Sequence, residues 1–181
     1  MSHRLFVGIR PPTPIRDALI DLMEGVDHAR WQDEEQLHLT LRYIGEVDTH
    51  IADDLAERLR AAATPGFELA IEGTGIFERK GHAHTLWAGI APSPALARLQ
   101  QRIERLCITA GLEPEPRKYH AHVTLARLNR ATGPLAPFLA RTAALRLGPW
   151  PVDSYILYES TLHPGGSLYE PVLRYPLEPA P

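Results

Sequence analysis

Cysteine, charge of one sign and long apolar runs are all scarce in this chain. One of its 181 residues is a cysteine, Cys107, so an internal disulfide is excluded. The formal net charge is -3 at pH 7, whereas a protein that coats nucleic acid over a broad surface is strongly basic. No long apolar stretch precedes Arg10, which argues against a signal peptide or a membrane span. We therefore expect a soluble, cytoplasmic monomer that contacts nucleic acid only locally, if at all.

The length of the chain is sufficient for one substantial hydrophobic core. Of the 181 residues 44% are hydrophobic, and no low-complexity linker divides them. Cys107 falls on an apolar helical stripe with Leu99 and Ile103, which predicts a buried hydrophobic residue rather than a nucleophile. We expect a single domain over residues 1–181.

A short pattern of histidine and threonine occurs twice. The sequence HLTL begins at His38 and the sequence HVTL begins at His122, so Thr40 and Thr124 also correspond. Because side chains alternate between the two faces of a strand, each histidine shares a face with the threonine two residues later. Two such faces brought together would offer two imidazoles for proton transfer and two hydroxyls for phosphate oxygens. This is what phosphate ester chemistry needs when no metal takes part.

The segments that precede the two patterns resemble each other as well. Each contains a short strand, 4–9 or 85–90, followed by a helix with a proline in its first turn. We expect the hydroxyls of Thr13 and Ser93 to cap these two helices. A unit of strand, capped helix and His-x-Thr strand therefore occurs twice. The repeat predicts two related lobes whose His-x-Thr faces meet across a central cleft.

The rest of the chain is predicted from periodicity and turn residues. The polar segment 78–84 is expected to be the tip of a hairpin, and glycine and proline in 133–151 predict irregular structure around one short helix. Further helices are expected over about 48–63 and 94–110, and further strands over 67–77, 152–162 and 168–177.

These features resemble the 2H phosphoesterase superfamily and, within it, the RNA 2',3'-cyclic phosphodiesterase family, also called 2'-5' RNA ligases. The resemblance covers the first strand, both His-x-Thr (HxTx) patterns and the segment 157–162. One departure is Ala121, since similar proteins usually have proline before the second histidine. The resemblance implies an α+β, bilobal duplicated fold, in which two antiparallel sheets line a central cleft and the helices lie outside.

The resemblance also implies a chemistry. Similar proteins are hydrolases of RNA processing that open 2',3'-cyclic phosphates of RNA ends or small cyclic nucleotides to 2'-phosphates, and reversible 2'-5' RNA ligation is a further reaction that the resemblance implies. By this analogy His122 is the general base toward water and His38 is the general acid toward the leaving 3' oxygen. Thr40, Thr124 and Arg127 would bind the phosphate. Neither a metal nor a cofactor is implied.

Two assigned residues conflict with a regular strand. Tyr43 occupies the position where similar proteins place an aromatic residue that stacks on the terminal base, and core packing is its other possible role. Strict alternation puts Tyr43 and Arg127 on the faces opposite to their histidines. A bulge or a strand end must turn both side chains, or their assignment fails.

Two other functions are compatible with the residues. His120 with His122, and His82 with His84, have the spacing of paired metal ligands on a strand, so a metal-dependent hydrolase is one alternative. Segment 117–127 has no Asp, Glu or Cys, whereas catalytic zinc commonly has three protein ligands. The other alternative is a non-catalytic module that binds RNA ends or nucleotides.

The two-histidine mechanism makes a prediction about protonation. It needs one imidazole neutral and the other charged at the same moment, so we expect one histidine pKa to be raised and the other lowered. The rate should then depend on pH as a bell with its maximum near neutrality.

Overall fold

The structure, a computed structural model that describes all 181 residues, has four α-helices and one nine-stranded antiparallel sheet. The helices are α1 (Thr13–Asp21), α2 (Thr49–Arg58), α3 (Pro94–Thr109) and α4 (Ala136–Thr142). The strands are β1 (Ser2–Ile9), β2 (Arg30–Trp31), β3 (Leu39–Asp48), β4 (Phe67–Arg79), β5 (His82–Ile90), β6 (His122–Arg127), β7 (Arg146–Val152), β8 (Ser154–His163) and β9 (Gly166–Pro176). The predicted α+β class is confirmed.

The sheet consists of two halves that are joined at one point. One half has the strand order β7-β4-β5-β6, with β2 paired to β6, and the other half continues with β3-β1-β8-β9. β3 and β6 are in register only at Leu39 and Val123, the residues that follow the two histidines. The two sheets expected from the sequence are therefore halves of one sheet, and the His-x-Thr patterns meet at the junction.

The helices cross between the halves. α1 follows β1 in the chain but packs against β7, and α3 follows β5 but packs against β3. α2 covers β1 and β3, while α4 covers β4. Cys107 of α3 is fully buried as predicted, and burial raises the pKa of its thiol to about 11. None of the helices combines the length and the apolar character that crossing a membrane requires.

The two corresponding helix starts differ in their caps. The Ser93 hydroxyl caps α3 as predicted, since it accepts a hydrogen bond from the backbone N–H of Leu96 at 3.1 Å. The predicted cap by Thr13 is wrong. Thr13 is itself the first residue of α1, behind Pro12, and no side chain caps this helix. The Thr13 hydroxyl instead accepts a hydrogen bond from the guanidinium of Arg16 at 3.2 Å.

The segment predicted as irregular contains an additional strand. β7 includes Pro149 and Pro151 and pairs with β4 at the edge of the sheet. Proline has no N–H to donate, and an edge strand tolerates it because one side of that strand needs no partner. Trp150, between the two prolines, is buried and attaches the strand to the core.

Candidate active site

A β-bulge in β3 determines which side chains share the face of His38. The register of β3 against β1 shifts at Leu41, which is the extra residue. Leu41 and the next residue, Arg42, are both buried, so Tyr43 returns to the open face. Directly opposite Tyr43 is Phe6, whose ring lies 4.7 Å from that of His38. Tyr43 and His38 therefore share a face.

β6 has the same irregularity at the matching position. Its register against β5 shifts at Leu125, and Leu125 and Ala126 are both buried. Arg127 is exposed, lies opposite Thr85, and donates a hydrogen bond to its hydroxyl at 3.1 Å. The two bulges thus break the strict alternation and place Tyr43 and Arg127 on the same faces as His38 and His122. Their assignment required this placement.

His38 is held by one ring nitrogen and presents the other to the cleft. Its Nδ1 donates to the carbonyl of Gln36 at 2.7 Å, and because a carbonyl only accepts, Nδ1 carries the proton. Nε2 lies 2.9 Å from the hydroxyl of Thr40. Nε2 accepts from this hydroxyl in the neutral ring and donates to it in the charged ring. Nε2 is therefore the nitrogen available for proton transfer.

His122 has the same arrangement. Its Nδ1 donates to the carbonyl of His120 at 2.8 Å, which leaves Nε2 for proton transfer. The edge of the Phe77 ring packs against His122, with centroids 4.8 Å apart. Thr124 is half-buried two residues further along the strand. The two halves thus contribute one imidazole and one hydroxyl each, as predicted.

A hydrogen bond across the cleft connects the two halves beside these groups. The hydroxyl of Tyr119, from the segment before β6, donates to the carbonyl of Thr40 at 2.7 Å. Burial raises the pKa of Tyr119 well above its usual value, so the hydroxyl stays protonated and remains a donor. The bond fixes the backbone of one His-x-Thr pattern relative to the other.

The pKa values of both histidines are lower than that of a free imidazole. The pKa of His38 is lowered to about 4: burial is the main cause, the hydrogen bond to Gln36 opposes it, and the charges of His122 and Arg127 add to the lowering. Burial lowers the pKa of His122 as well, and Arg127 contributes in the same direction. The expectation of one raised and one lowered pKa is therefore wrong for the free protein. At neutral pH both imidazoles are uncharged, and Arg127 supplies the positive charge nearby.

The wall around His38 is aromatic, which the sequence analysis missed. Phe6, Tyr169 and Tyr158 lie with ring centroids 4.7, 5.1 and 6.1 Å from His38. Phe6 and Tyr158 are opposite each other in the β1–β8 pairing. Their proximity depends on that long-range register, and no local sequence pattern specifies it.

Tyr43 is exposed at the other side of the same face. Its side chain is 45% exposed, which excludes the core-packing alternative. The Arg4 side chain donates to the Tyr43 hydroxyl at 2.9 Å, and its guanidinium carbon lies 6.0 Å from the ring centroid. The ring is therefore held in a defined orientation with a surface open to solvent.

The His-x-His pairs do not form a cluster of metal ligands. No group of three or more His, Cys, Asp or Glu side chains is placed to hold a metal ion. The ring centroids of His120 and His122 are 6.1 Å apart, and the edge of Phe77 faces both rings. His84 points to a different partner, the hydroxyl of Thr85, at 2.8 Å. The metal-dependent alternative therefore lacks a third protein ligand.

The β8–β9 hairpin, to which the sequence analysis gave no role, lies against one end of this face. The Gln36 amide donates to the carbonyl of Ser167 at 3.0 Å. Tyr169, two residues after Ser167, has its ring centroid 5.1 Å from that of His38. A Cβ added at Gly166 would lie 3.1 Å from the guanidinium of Arg30. The hairpin tip thus makes a close contact with β2 and with the segment that precedes β3.

Comparison with known proteins identifies relatives of the whole chain. The family model described as the 2'-5' RNA ligase superfamily matches residues 9–163. An RNA 2',3'-cyclic phosphodiesterase of Aeropyrum pernix is 32% identical over 141 residues, which are 76% of this chain and 80% of the relative. One of Thermus thermophilus is 30% identical over 187 residues, covering 96% of this chain and 90% of the relative.

A solved structure agrees with these relatives. The crystal structure of E. coli LigT complexed with 3'-AMP superposes with a TM-score of 0.77 at 25% identity, covering 98% of this chain and 99% of that one. Both His-x-Thr patterns lie within the residues that the family model matches. The chain belongs to the 2'-5' RNA ligase superfamily.

Proposed function

We propose that this protein is a phosphodiesterase that opens 2',3'-cyclic phosphates, on RNA ends or nucleotides, to 2'-phosphates without a metal ion. The observation that carries the proposal is the matched anchoring of His38 and His122 through Nδ1, which leaves two Nε2 atoms on the open face beside the junction of the sheet. The names of the relatives from Aeropyrum pernix and Thermus thermophilus support the same activity.

The proposed reaction is an attack of water on the cyclic phosphate. Nε2 of His122 takes a proton from water as the water oxygen forms a bond to phosphorus. The bond between phosphorus and the 3' oxygen breaks, and Nε2 of His38 gives its proton to that oxygen. A 2'-phosphate and a 3'-hydroxyl result. The same attack with the 5'-hydroxyl of a second strand in place of water gives a 2'-5' phosphodiester, which is ligation.

The proposal assigns phosphate binding to Thr40, Thr124 and Arg127. Hydroxyl and guanidinium donors stabilise the charge that develops on the phosphate oxygens during attack. The phosphate also acts on the histidines, because a nearby negative charge raises the pKa of an imidazole. Substrate therefore favours the protonation of His38 that the free protein, with a pKa of about 4 for this group, resists.

Tyr43 is assigned to the terminal nucleobase. Its exposed ring offers a stacking surface that any base can use. Arg4 holds the hydroxyl of this ring, which lowers the entropy that ordering the ring on binding would cost.

The test uses a short RNA that ends in a 2',3'-cyclic phosphate. We expect a 2'-phosphate product, identified by its phosphorus NMR shift against 2'- and 3'-phosphate standards. A 3'-phosphate would keep the two histidines but reverse the substrate orientation. Tight binding without any product would instead favour the non-catalytic module.

The proposal also includes the organisation of the molecule. The bulged His-x-Thr strand in each half supports one domain, residues 1–181, with two pseudo-symmetric lobes. The buried free thiol of Cys107 is compatible with a monomer in the reducing cytoplasm. Sedimentation velocity of the purified protein tests the oligomeric state.

A further inference from the structure

A cavity of about 250 Å³ lies between the β8–β9 hairpin tip and the end of β6. Polar and basic side chains dominate its lining, and no acidic residue takes part: Arg30, Gln36, Arg127, His163, Ser167 and Tyr169. Its volume is below the roughly 300–1,000 Å³ of pockets that take a whole drug-sized ligand. It suits a smaller group that is polar and negatively charged.

Two unpaired guanidiniums give the cavity its charge. Arg30 and Arg127 are directly opposite each other in the β2–β6 pairing, so their side chains leave the same face. Both are exposed, and neither pairs with a carboxylate, whereas Arg16 and Arg42 pair with glutamates. Like charges opposite each other are unfavourable unless an anion lies between them. Arginine pairs of this kind suit the oxygens of a phosphate.

The hairpin backbone comes close to these groups and is fixed there. The Cβ position of Gly166 is 3.1 Å from the Arg30 guanidinium and 3.3 Å from the Gln36 amide, so a larger residue would push against both. Gln36 also donates to the Ser167 carbonyl at 3.0 Å. The cavity is therefore formed by ordered contacts between two distant parts of the chain.

The cavity borders the proposed catalytic groups. Tyr169 lines it and lies 5.1 Å from His38, ring centroid to ring centroid. Arg127 lines it as well, and its charge lowers the pKa of both His38 and His122. Since β3 and β6 run in opposite directions from their shared pair, Arg127 and Tyr43 lie toward opposite ends of the cleft.

We propose that this cavity is a second phosphate subsite, which holds the phosphodiester of a neighbouring nucleotide. The inference rests on the proposed function, because it takes the groups from Tyr43 to Arg127 as the site of the cyclic phosphate, so that Arg127 lies between the two phosphates. It makes the substrate class an RNA strand of at least two nucleotides rather than an isolated cyclic nucleotide. Arg30, which no sequence pattern singled out, becomes a specificity-determining residue.

The test compares a substrate with one phosphate and a substrate with two. Adenosine 2',3'-cyclic phosphate has the reacting phosphate alone, and the dinucleotide ApA with a 2',3'-cyclic end adds one phosphodiester. In Arg30→Gln we expect kcat/KM to fall about tenfold for the dinucleotide and to stay within about twofold for the mononucleotide. Arg98→Gln, which removes an exposed arginine from α3, is the matched control and should change neither. Arg30→Lys should recover part of the preference, because it keeps the charge.

A binding measurement tests the subsite apart from turnover. ApA without a terminal phosphate has a single phosphodiester, and its dissociation constant can be titrated at several salt concentrations. Arg30→Gln should weaken binding and reduce the slope of log Kd against log salt by about 0.7, the value for one phosphate contact on a single strand. A variant that lost only local structure would leave this slope unchanged.

The outcomes separate the subsite from the proposed function. Equal losses for both substrates, or no loss for either together with an unchanged salt slope for ApA, would overturn the subsite while cyclic-phosphate opening stands. Absence of opening in the unsubstituted protein would overturn the proposed function, and the ApA titration would still decide the subsite. If ApA inhibits the opening of the mononucleotide, and inhibits it less in Arg30→Gln, the phosphodiester in the cavity belongs to the strand that supplies the 5'-hydroxyl. A dinucleotide preference without such inhibition would place it upstream of the cyclic end.

Discussion

β3 and β6 are built alike and differ mainly at two positions. Each has a buried residue, a half-buried threonine, two buried residues at a bulge and then an exposed side chain. The fourth residue after the histidine is Arg42 in one strand and Ala126 in the other, and the fifth is Tyr43 or Arg127. The shared residues set the backbone and the position of the imidazole. The residues that differ give the two ends of the cleft different chemistry.

Arg42, one of the residues that differ between the two strands, is buried, and its charge needs partners. Arg42 pairs with Glu104 of α3 and donates to the backbone carbonyls of Tyr43 and Glu113, so its charge is paired on the side of both the strand and the helix. A buried charge is tolerated only when it is paired in this way. Ala126 needs no such partners. β3 is thus joined to α3 by an ion pair that has no counterpart at Ala126 in β6.

The largest effect on turnover is expected when one of the two corresponding histidines is replaced. His38→Ala and His122→Ala should each lower turnover of a cyclic-phosphate RNA by about a hundred- to ten-thousandfold, since a positioned acid or base contributes that much. Steady-state rates at saturating substrate give the measurement, and circular dichroism checks the fold. His120→Ala is the matched control, because His120 lies beside His122 but outside the pattern. A large loss in the control alone would contradict the assignment.

The next largest effect concerns the charged end of the cleft. Arg127→Gln should lower kcat/KM by roughly a hundredfold, because one donor to the developing phosphate charge is lost. Arg130→Gln removes an exposed arginine three residues later and should have little effect. Similar losses in both variants would indicate a general loss of positive potential rather than a specific contact.

Arg127→Gln should also move the pH profile of kcat/KM, which reports the free protein. Both histidine pKa values are lowered, so the form with His38 charged and His122 neutral is most populated below pH 6.5, and the maximum should lie there. Arg127 disfavours the charged imidazoles, so its removal raises both pKa values and shifts the maximum to higher pH. A maximum above pH 6.5 in the unsubstituted protein, or no shift in the variant, would contradict this account. Because the histidines interact, each limb belongs to the pair.

A smaller effect is expected at the aromatic end. Tyr43→Ala should raise KM for short RNA about tenfold with little change in kcat, since stacking contributes similarly to ground state and transition state. Tyr43→Phe keeps the ring and should stay close to the unsubstituted protein, which separates stacking from the contact with Arg4. Unchanged KM combined with a lower melting temperature in Tyr43→Ala would indicate a structural role instead.

No effect is expected from chelation. Activity should survive exhaustive EDTA treatment, because the proposed reaction takes its base and acid from side chains. If a metal bound by His120 and His122 supplied a hydroxide as the nucleophile instead, the β6 half would be a metal site and the β3 half would not. Activity lost with EDTA and restored by one divalent ion would establish that difference and remove the acid and base roles.

Local patterns in the sequence predicted the four helices and most of the strands, and they singled out the two histidines as candidates. The repeated His-x-Thr pattern is a short-range signal, and so is the cap at Ser93. The strand at Pro149 and Pro151 was missed because proline usually marks a turn, and only its place at the sheet edge makes it acceptable.

The features that were missed depend on long-range pairing. The two bulges are defined by the register against a partner strand, so strict alternation gave the wrong face for Tyr43 and Arg127. The lowered pKa of both histidines follows from burial, which no spacing in the sequence reports. The contact of Arg30 with Gly166 likewise joins segments that are distant in the chain.

The crossing of α1 and α3 between the halves has a consequence for how the protein is synthesised. On the ribosome the β1–β3 part emerges together with α2 but long before α3, which also packs against β3, so part of its apolar surface is still exposed at that stage. α1 likewise has no partner strand until β7 is synthesised, much later in the chain. Neither half can complete its core alone, and we expect fragments cut between β5 and α3 to aggregate unless they are expressed together. We therefore expect the two halves to fold only together.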